Sequence, residues 1–527
     1  MGTPPTATAL DLLNRYKLEI LISFLENPFT FLVLCLFILL HQLNRTKRKI
    51  LRKVKTRNMS KLRQAINYSC CRYYSIQQAK KKLPIISCKR PEFNHYEGQS
   101  YSKFEGVKLA SQGWLHAKSK NDYFIIHGNA NKKEETKVYR KTFEEIGLCS
   151  QLREVMSQLG YSLPTAIQAK SFSPIIEGYN TSMTAETGCG KTLAYLLPII
   201  QHILEWKPHV AEDFNTTQIG EVAQSLTENL NINVSTLIGG KTKQKMINPP
   251  IEYSDLLITT LGAYSKLVTT GIYKIHNLHH IVLDEADTLL DDSFIHHKVD
   301  IQIPPKGCQV TLVSATLPHE LPESVNLFMD PQSLRTITTN KIHRILPHIP
   351  HKFLRLGKAQ KPLELLKLVQ ADVNRKRPVM IFSNKTATCD FVSMFLNENN
   401  IECININGQM AVPLKMGKFE MFKNGQINVL SCTDIASRGL DTLRTQHIIN
   451  YDFPLYTSDY IHRCGRTGRL GSNTDCTVTN FVAWPREIKL VQKIENSIRL
   501  HEELPNVNAN IKRQIEHRIA KMSEAVM

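Results

Sequence analysis

From about Phe143 onward, short apolar runs alternate with longer stretches in which apolar positions recur every three or four residues. Residues 254–259 (SDLLIT), 280–283 (HIVL), 310–313 (VTLV), 379–382 (VMIF), 427–431 (INVLS) and 447–450 (HIIN) read as strands. Residues 180–184 read as a further strand and 193–204 as an apolar helix. Strands that are apolar along their length and separated by helices suit parallel sheets covered on both faces, so the pattern predicts an α/β fold. No repeat of fixed period interrupts it.

Before residue 143 the pattern changes. Residues 28–40 (PFTFLVLCLFILL) are strongly apolar but short for a membrane span, which needs about 20 apolar residues. Residues 18–24 are also apolar, but Glu19, Glu26 and Asn27 interrupt them, and a basic run from Arg45 to Arg57 follows. One reading is a signal anchor through residues 18–42, its basic flank on the cytosolic side. The other rests on residues 27–91, which contain no Asp or Glu. Within that window Met59 opens a basic, Ser-containing segment with the composition of a mitochondrial presequence. Composition favours the second reading: an apolar and basic leader at 1–58, upstream of a working start at Met59, a presequence at 59–91, and no stable membrane insertion. Residues 92–138 read as a polar, basic extension, with the folded core beginning near Phe143.

Length and charge sharpen this. A chain of 527 residues allows about three domains, or two with extensions. Its net charge of +19 favours a polyanionic partner through release of phosphate counterions, although part of that excess lies in the leader. The 12 cysteines are scattered and show no zinc-ligand spacing, as free thiols in a reducing compartment do.

Three motifs carry chemistry. In Ala185-Glu-Thr-Gly-Cys-Gly-Lys-Thr192, between a strand and a helix, Gly188 and Gly190 let backbone N–H groups wrap a phosphate. Lys191 can reach the β- and γ-phosphates, Thr192 can ligate Mg²⁺, and the helix adds its positive end. A P-loop ordinarily opens on Gly where this one has Ala185. In Ile281-Val-Leu-Asp-Glu-Ala-Asp287 an apolar strand ends in acids at the sheet edge where nucleotides bind. Asp284 can hold Mg²⁺, and Glu285 can orient and deprotonate an attacking water. In Tyr460-Ile-His-Arg-Cys-Gly-Arg-Thr-Gly-Arg469, Arg463, Arg466 and Arg469 recur every three residues, a source of arginine fingers.

Taken in order, these motifs make the chain resemble the DEAD-box ATP-dependent RNA helicases. The ordered set is Phe143, Gly160-Tyr-Ser-Leu-Pro-Thr-Ala-Ile-Gln168, AETGCGKT, Gly239-Gly240, Thr260-Leu-Gly262, Asp284-Glu-Ala-Asp287 and Ser314-Ala-Thr316. The second half adds Ile381-Phe-Ser383, Thr433-Asp-Ile-Ala-Ser-Arg-Gly-Leu-Asp441 and YIHRCGRTGR. The resemblance implies two tandem RecA-like P-loop domains, at 139–337 and 358–500, joined by a linker at 338–357 and followed by a tail at 501–527. It implies that Phe143 stacks on adenine and Gln168 reads its edge. Ala185, Glu186, Thr187, Gly188, Cys189, Gly190, Lys191, Thr192 and Asp441 then hold ATP, with Thr192 and Asp284 on Mg²⁺. Lys191, Glu285, Arg466 and Arg469 serve hydrolysis. Asp287, Ser314, Thr316 and His462 couple it to strand separation. Gly239, Gly240, Thr260, Gly262 and Thr433 contact RNA phosphates and 2′-OH groups, which predicts little sequence specificity and local melting of a duplex. More narrowly, Leu109-Ala-Ser-Gln-Gly-Trp114, Thr288-Leu-Leu-Asp-Asp-Ser293 and Leu346-Pro-His348 are similar to the mitochondrial subgroup associated with large ribosomal subunit assembly. That implies a monomer in the mitochondrial matrix acting on structured, ribosomal RNA beside ribosome assembly factors, with nucleus or cytoplasm as alternatives.

One departure from the family is large. After the helix that follows Thr192, the family has a strand ending in a Pro-Thr-Arg-Glu-Leu type RNA contact. Here residues 207–217 run directly into the next helix, at 218–230, and Gln218 resembles the last residue of that motif. Either a coding segment is missing from this sequence or the protein carries a true deletion, which would leave an impaired RNA-binding clamp. Leu261 and Ala263 also replace the usual Pro and Arg, and Lys415 an Arg, whose fork geometry is lost.

Overall fold

The computed structural model of the chain describes residues 84–101, 106–128, 141–206, 218–228, 230, 232–237, 254–269, 271, 277–290, 307–316, 329–339, 342–345, 348–434, 442–469, 472, 475–505 and 507. The leader at 1–58, most of the 59–91 segment and the last twenty residues lie outside them.

The chain enters through three short strands, β1 (Pro84–Cys88), β2 (His95–Tyr96) and β3 (Tyr123–Ile126). The first lobe follows. It holds α1 (Ser150–Gln158), α2 (Ala166–Ile176), β4 (Thr181–Thr184), α3 (Lys191–Trp206), α4 (Gln218–Thr227), β5 (Val234–Leu237) and β6 (Leu256–Thr259). It continues through α5 (Leu261–Thr269), β7 (His280–Asp284), α6 (Ala286–Leu289), β8 (Gln309–Ser314) and β9 (Arg335–Thr338). The second lobe holds β10 (His351–Arg355), α7 (Lys361–Asn374), β11 (Val379–Ser383), α8 (Thr386–Glu398), β12 (Cys403–Ile406) and α9 (Val412–Lys423). It ends with β13 (Val429–Thr433), β14 (His447–Asn450), α10 (Thr457–Cys464), β15 (Thr477–Val482) and α11 (Pro485–Leu500). The apolar runs read as strands from the sequence are strands here, and their alternation with helices gives parallel sheets, as expected.

Helix starts are written locally. Thr165 caps α2, accepting from Gln168 N while Gln168 Oε1 accepts from Thr165 N, so both orphan donors are met. Pro485 opens α11, and Glu487 reaches back to Ala483 N and Trp484 N at 2.6 and 2.9 Å.

The second lobe carries a nine-stranded sheet, β12-β13-β11-β14-β15-β10-β3-β1-β2. Strands β10 to β15 are parallel, and β3 adds to β10 antiparallel, with Phe353 opposite Phe124. This corrects the expectation of a polar extension at 92–138 with a core starting near Phe143. Strands β1 to β3 and Trp114 are built into the second lobe. Trp114 is fully buried, and Phe124 stacks on Phe353 at 4.7 Å between ring centroids. Charged groups of α11 clamp the segment. The buried Glu495 carboxylate accepts from Ala110 N (2.7 Å), Ser111 N (3.0 Å) and Ser111 Oγ (2.6 Å), and Arg499 Nη2 donates to Phe93 O at 2.6 Å. Each buried charge thereby has partners, which such burial requires. The partner strand β10 lies far along the chain, so no local pattern could show the pairing.

Two boundaries move for the same reason. Residues 84–88, placed by composition within the 59–91 segment, form β1, and residues 351–355, placed in the 338–357 linker, form β10. The start of the 501–527 tail also belongs to the second lobe, with Leu504 and Val507 buried in its core.

The first lobe is divided. Four parallel strands run β7-β8-β4-β9, and β5 and β6 form a separate parallel pair. Among the described residues β7 pairs only with β8, and β6 only with β5. Both strands are half-buried along their whole length despite apolar sequences. Among the described residues the sheet is thus interrupted in the lobe where the sequence was expected to lack a strand; residues 207–217 lie outside the described residues.

Candidate nucleotide and RNA site at the lobe boundary

Four strands deliver the site's residues at their carboxyl ends: β4 the phosphate loop, β7 the acids, β8 Ser314 and Thr316, and β13 Thr433. Gly188 and Gly190 lie at φ +77° and +87°, left-handed values that glycine adopts without strain. Lys191 Nζ donates to Ala185 O and Glu186 O, each at 2.9 Å, which folds the loop on itself. Cys189 sits between the glycines, its thiol pushed up by burial. Thr192 opens α3. Gln168 is buried beside the loop: Nε2 donates to Gly190 O at 3.2 Å and Oε1 completes the α2 cap. Phe143 is 6% exposed in the first-lobe core, with Leu148, Leu152 and Phe172 in the same cluster. In this arrangement its ring is a core residue and does not stand clear as a stacking platform.

Asp284 ends β7 with its carboxyl largely buried. Oδ1 accepts from Glu285 N at 2.9 Å and Oδ2 from Tyr195 Oη at 3.1 Å. Burial raises the Asp284 pKa, and the nearby Lys191 ammonium opposes that rise. Glu285 follows at φ 54°, a left-handed conformation uncommon outside glycine that turns the chain from β7 into α6. Thr316 Oγ1 donates to Asp287 Oδ2, and Thr316 N donates to Ser314 Oγ at 3.0 Å.

The second lobe meets these groups through α10 and the turn after it. His462 Nε2 lies 3.4 Å from Asp287 Oδ2 and 3.3 Å from Thr316 Oγ1. Arg466 Nη2 lies 3.4 Å from Glu285 Oε1. Arg469 flanks the phosphate loop: a Cβ built on Gly188 would lie 3.0 Å from Arg469 Cγ. Gly465 is tighter still, since a Cβ there would lie 2.0 Å from Thr187 Oγ1. Of the expected RNA contacts, Thr260 and Gly262 are exposed at the start of α5, and Thr433 is nearly buried at the end of β13. Gly239, Gly240 and Asp441 lie outside the described residues.

Several positioning residues escaped the sequence reading. Tyr195, one turn after Thr192, was legible from helical spacing as a neighbour of Asp284. Thr339 Oγ1 donates to Glu186 Oε2 at 2.6 Å, and no sequence signal announces it. Arg463, which the sequence reading grouped with Arg466 and Arg469 as a source of arginine fingers, is instead fully buried and gives two 2.6 Å bonds to the Asp434 carboxylate and one to Asn384 Oδ1. It ties α10 to the carboxyl ends of β11 and β13.

Comparison with known proteins agrees with this arrangement. The DEAD/DEAH box helicase family matches residues 165–324, and the helicase conserved C-terminal domain matches residues 360–471. The mouse protein "Probable ATP-dependent RNA helicase DDX28" is 34% identical over 473 residues, covering 81% of this chain and 86% of its own length. The human protein of that name is 33% identical over the same shares. ATP-dependent RNA helicase DeaD of Escherichia coli K12 is 30% identical, covering 73% of this chain and 62% of its own length. Among solved structures, Mss116p bound to single-stranded RNA and AMP-PNP aligns with a TM-score of 0.58 at 19% identity, covering 73% of this chain and 87% of that one. Yeast Dbp5 bound to RNA and ADP BeF3 aligns at 0.56 and 20%, covering 68% and 93%. Among the described residues no helix is long and apolar enough to cross a membrane. With the motifs in order, the acids and arginines facing each other and these relatives aligned over most of the chain, the protein belongs to the DEAD-box family of ATP-dependent RNA helicases.

Proposed function

We propose that the protein couples RNA-stimulated ATP hydrolysis to local RNA duplex opening or ribonucleoprotein remodelling through the residues gathered at the lobe boundary. The observation that carries this is the pairing of Arg466 with Glu285 and of His462 with Asp287 and Thr316. Groups that must act on one phosphate and one water come from both lobes, so closing the lobes assembles the site. Glu285 orients the attacking water and accepts its proton. Lys191, Arg466 and Arg469 offset charge on the transferring phosphoryl group. Gln168, Asp441 and residues 185–192 hold the nucleotide. Thr316 and Asp287 link that step to His462, and Ser314 orients Thr316. Gly239, Gly240, Thr260, Gly262 and Thr433 line the RNA path.

The donor set suits Mg²⁺. Asp284 is a buried carboxylate beside the Thr192 turn, and Mg²⁺ takes one or two carboxylates together with waters and substrate phosphates. Asp284 and Thr192 would hold the ion, which would supply charge neutralisation at the phosphates.

The acid-free stretch 27–91 and the likeness of residues 109–114, 288–293 and 346–348 to the mitochondrial subgroup support action in the mitochondrial matrix as a monomer, on structured ribosomal RNA during large-subunit assembly beside its assembly factors. A second reading, an RNA clamp without turnover, is favoured by the open edges of β6 and β7. The alignment to the mouse relative also spans more positions than 81% of 527 residues supplies, so it includes positions at which this chain has none.

ATP hydrolysis by the chain from Met59, with and without structured RNA and beside Glu285→Gln, separates the two readings. RNA-stimulated turnover lost in the variant supports the enzyme. RNA binding by a folded sample without turnover supports the clamp.

A further inference from the structure

The turn that carries Arg466 and Arg469 does not hold its shape through α10 alone. Between the two arginines, Gly468 lies at φ +63°, and its carbonyl accepts a hydrogen bond from His348 Nε2 at 2.9 Å. His348 belongs to the crossing between the lobes, after β9 and before β10. Its neighbour Ile349 is 1% exposed, and a Cβ built on Gly468 would lie 2.3 Å from Ile349 Cδ1. The crossing and the arginine turn are therefore in van der Waals contact with no room for a side chain between them.

The crossing is backed in turn by the N-terminal segment. A Cβ built on Gly128 would lie 2.6 Å from both the carbonyl carbon and oxygen of His348 and 3.0 Å from Ile349 N. Gly128 follows β3, whose Ile126 pairs with His351, and His127 N donates to Ile85 O at 2.8 Å. Residues 126–128, 348–349 and 468 thus form three backbone layers in contact. The outermost is anchored in the sheet by β1 and β3, and the innermost carries the arginines.

We infer that His348 is a positioning residue for hydrolysis, and that the N-terminal segment, through Gly128, holds it in place. His348 touches neither Glu285 nor the phosphate loop. It fixes the carbonyl between Arg466 and Arg469, and so fixes where both guanidinium groups point when the lobes close. The His348 side chain is exposed, but its backbone packs against Gly128, so its imidazole N–H orients this turn at less ordering cost than a free water would at the moment of closure. The inference rests on the reading of Arg466 and Arg469 as the groups that act on the phosphoryl.

The test uses the chain from Met59 and four variants, His348→Ala, His348→Gln, Gly128→Ala and Arg466→Ala, with kcat and KM for ATP measured at saturating structured RNA. His348→Ala is expected to lower kcat about fivefold to tenfold, the worth of one oriented hydrogen bond, with KM for ATP unchanged within twofold. His348→Gln keeps an N–H donor and should restore at least half of the loss. Gly128→Ala, far from the nucleotide in sequence, should lower kcat in the same way. The inference is overturned if Arg466→Ala abolishes turnover while His348→Ala keeps wild-type kcat, or if His348→Gln falls as far as His348→Ala. If Arg466→Ala itself retains full turnover, the reading of the arginines fails and the positioning role fails with it.

Discussion

Arg466 and Glu285 face each other across the lobe boundary, guanidinium to carboxylate at 3.4 Å. On the proposed roles of Glu285 as general base and Arg466 as arginine finger, two groups this close make one unit, in which removing either disables the other. Glu285→Gln and Arg466→Ala should each reduce RNA-stimulated kcat by about 100-fold or more, and the double variant should be little worse than the poorer single one. Additive losses in steady-state ATPase assays would mean that the two act independently.

Gly465 tests closure without touching a charge. Its φ of −69° suits any residue, so the backbone sets no demand for glycine. The demand comes from Thr187, which a Cβ would meet at 2.0 Å. Gly465→Ala should leave nucleotide binding to the first lobe intact but lower RNA-stimulated turnover by about 100-fold. RNA affinity measured by fluorescence anisotropy with a non-hydrolysable ATP analogue should fall in parallel.

Acid should weaken the second lobe through His351. Its ring is wholly buried, which pushes its pKa down to about 3, and Tyr460 Oη lies 2.8 Å from Nδ1. The folded state therefore holds it neutral, whereas the unfolded chain takes up a proton near pH 6.5. Stability present above pH 6.5 is lost as the pH falls from there towards 3, by about 1 kcal/mol per pH unit. Thermal unfolding between pH 7 and 5 should show this slope, and His351→Phe should flatten it. A remaining slope is expected from His95 in the same lobe, pushed down by burial to about 4.

Trp114 tests whether the N-terminal strands are integral. It is fully buried, and among the described residues its ring nitrogen has no hydrogen-bond partner. Trp114→Phe should therefore cost little, while Trp114→Ala should destabilise the second lobe by about 3–5 kcal/mol in urea unfolding. An unchanged midpoint for Trp114→Ala would show that this segment is dispensable.

The contrast between these residues explains what the sequence could reveal. The phosphate loop, the acids after β7 and the arginine turn are each contiguous, and each residue type is tied to a step of phosphate chemistry, so they were legible before any fold was known. The open edge of β7 was legible too, as a strand missing between two helices. The pairing of β3 with β10 was not, because Tyr123–Ile126 is a four-residue run whose partner lies in another part of the chain. Nor were Thr339 and Glu186, or His348 and Gly468, which are brought together only by tertiary packing. The core position of Phe143 shows the converse, where a motif assigns a role that packing in this arrangement does not display.

Because β1 to β3 complete the sheet of the second lobe, the polypeptide crosses between the lobes twice, once on each side of the first. Cutting either crossing leaves the lobes joined by the other, and neither half of the gene encodes a complete second lobe. The consequence falls on synthesis. Ala110 and Glu495, which bond in the finished protein, are 385 positions apart. At about 5–20 residues per second, β1 to β3 are made about 20–80 seconds before the helix that secures them, so strands made early are among the last elements to be locked in place.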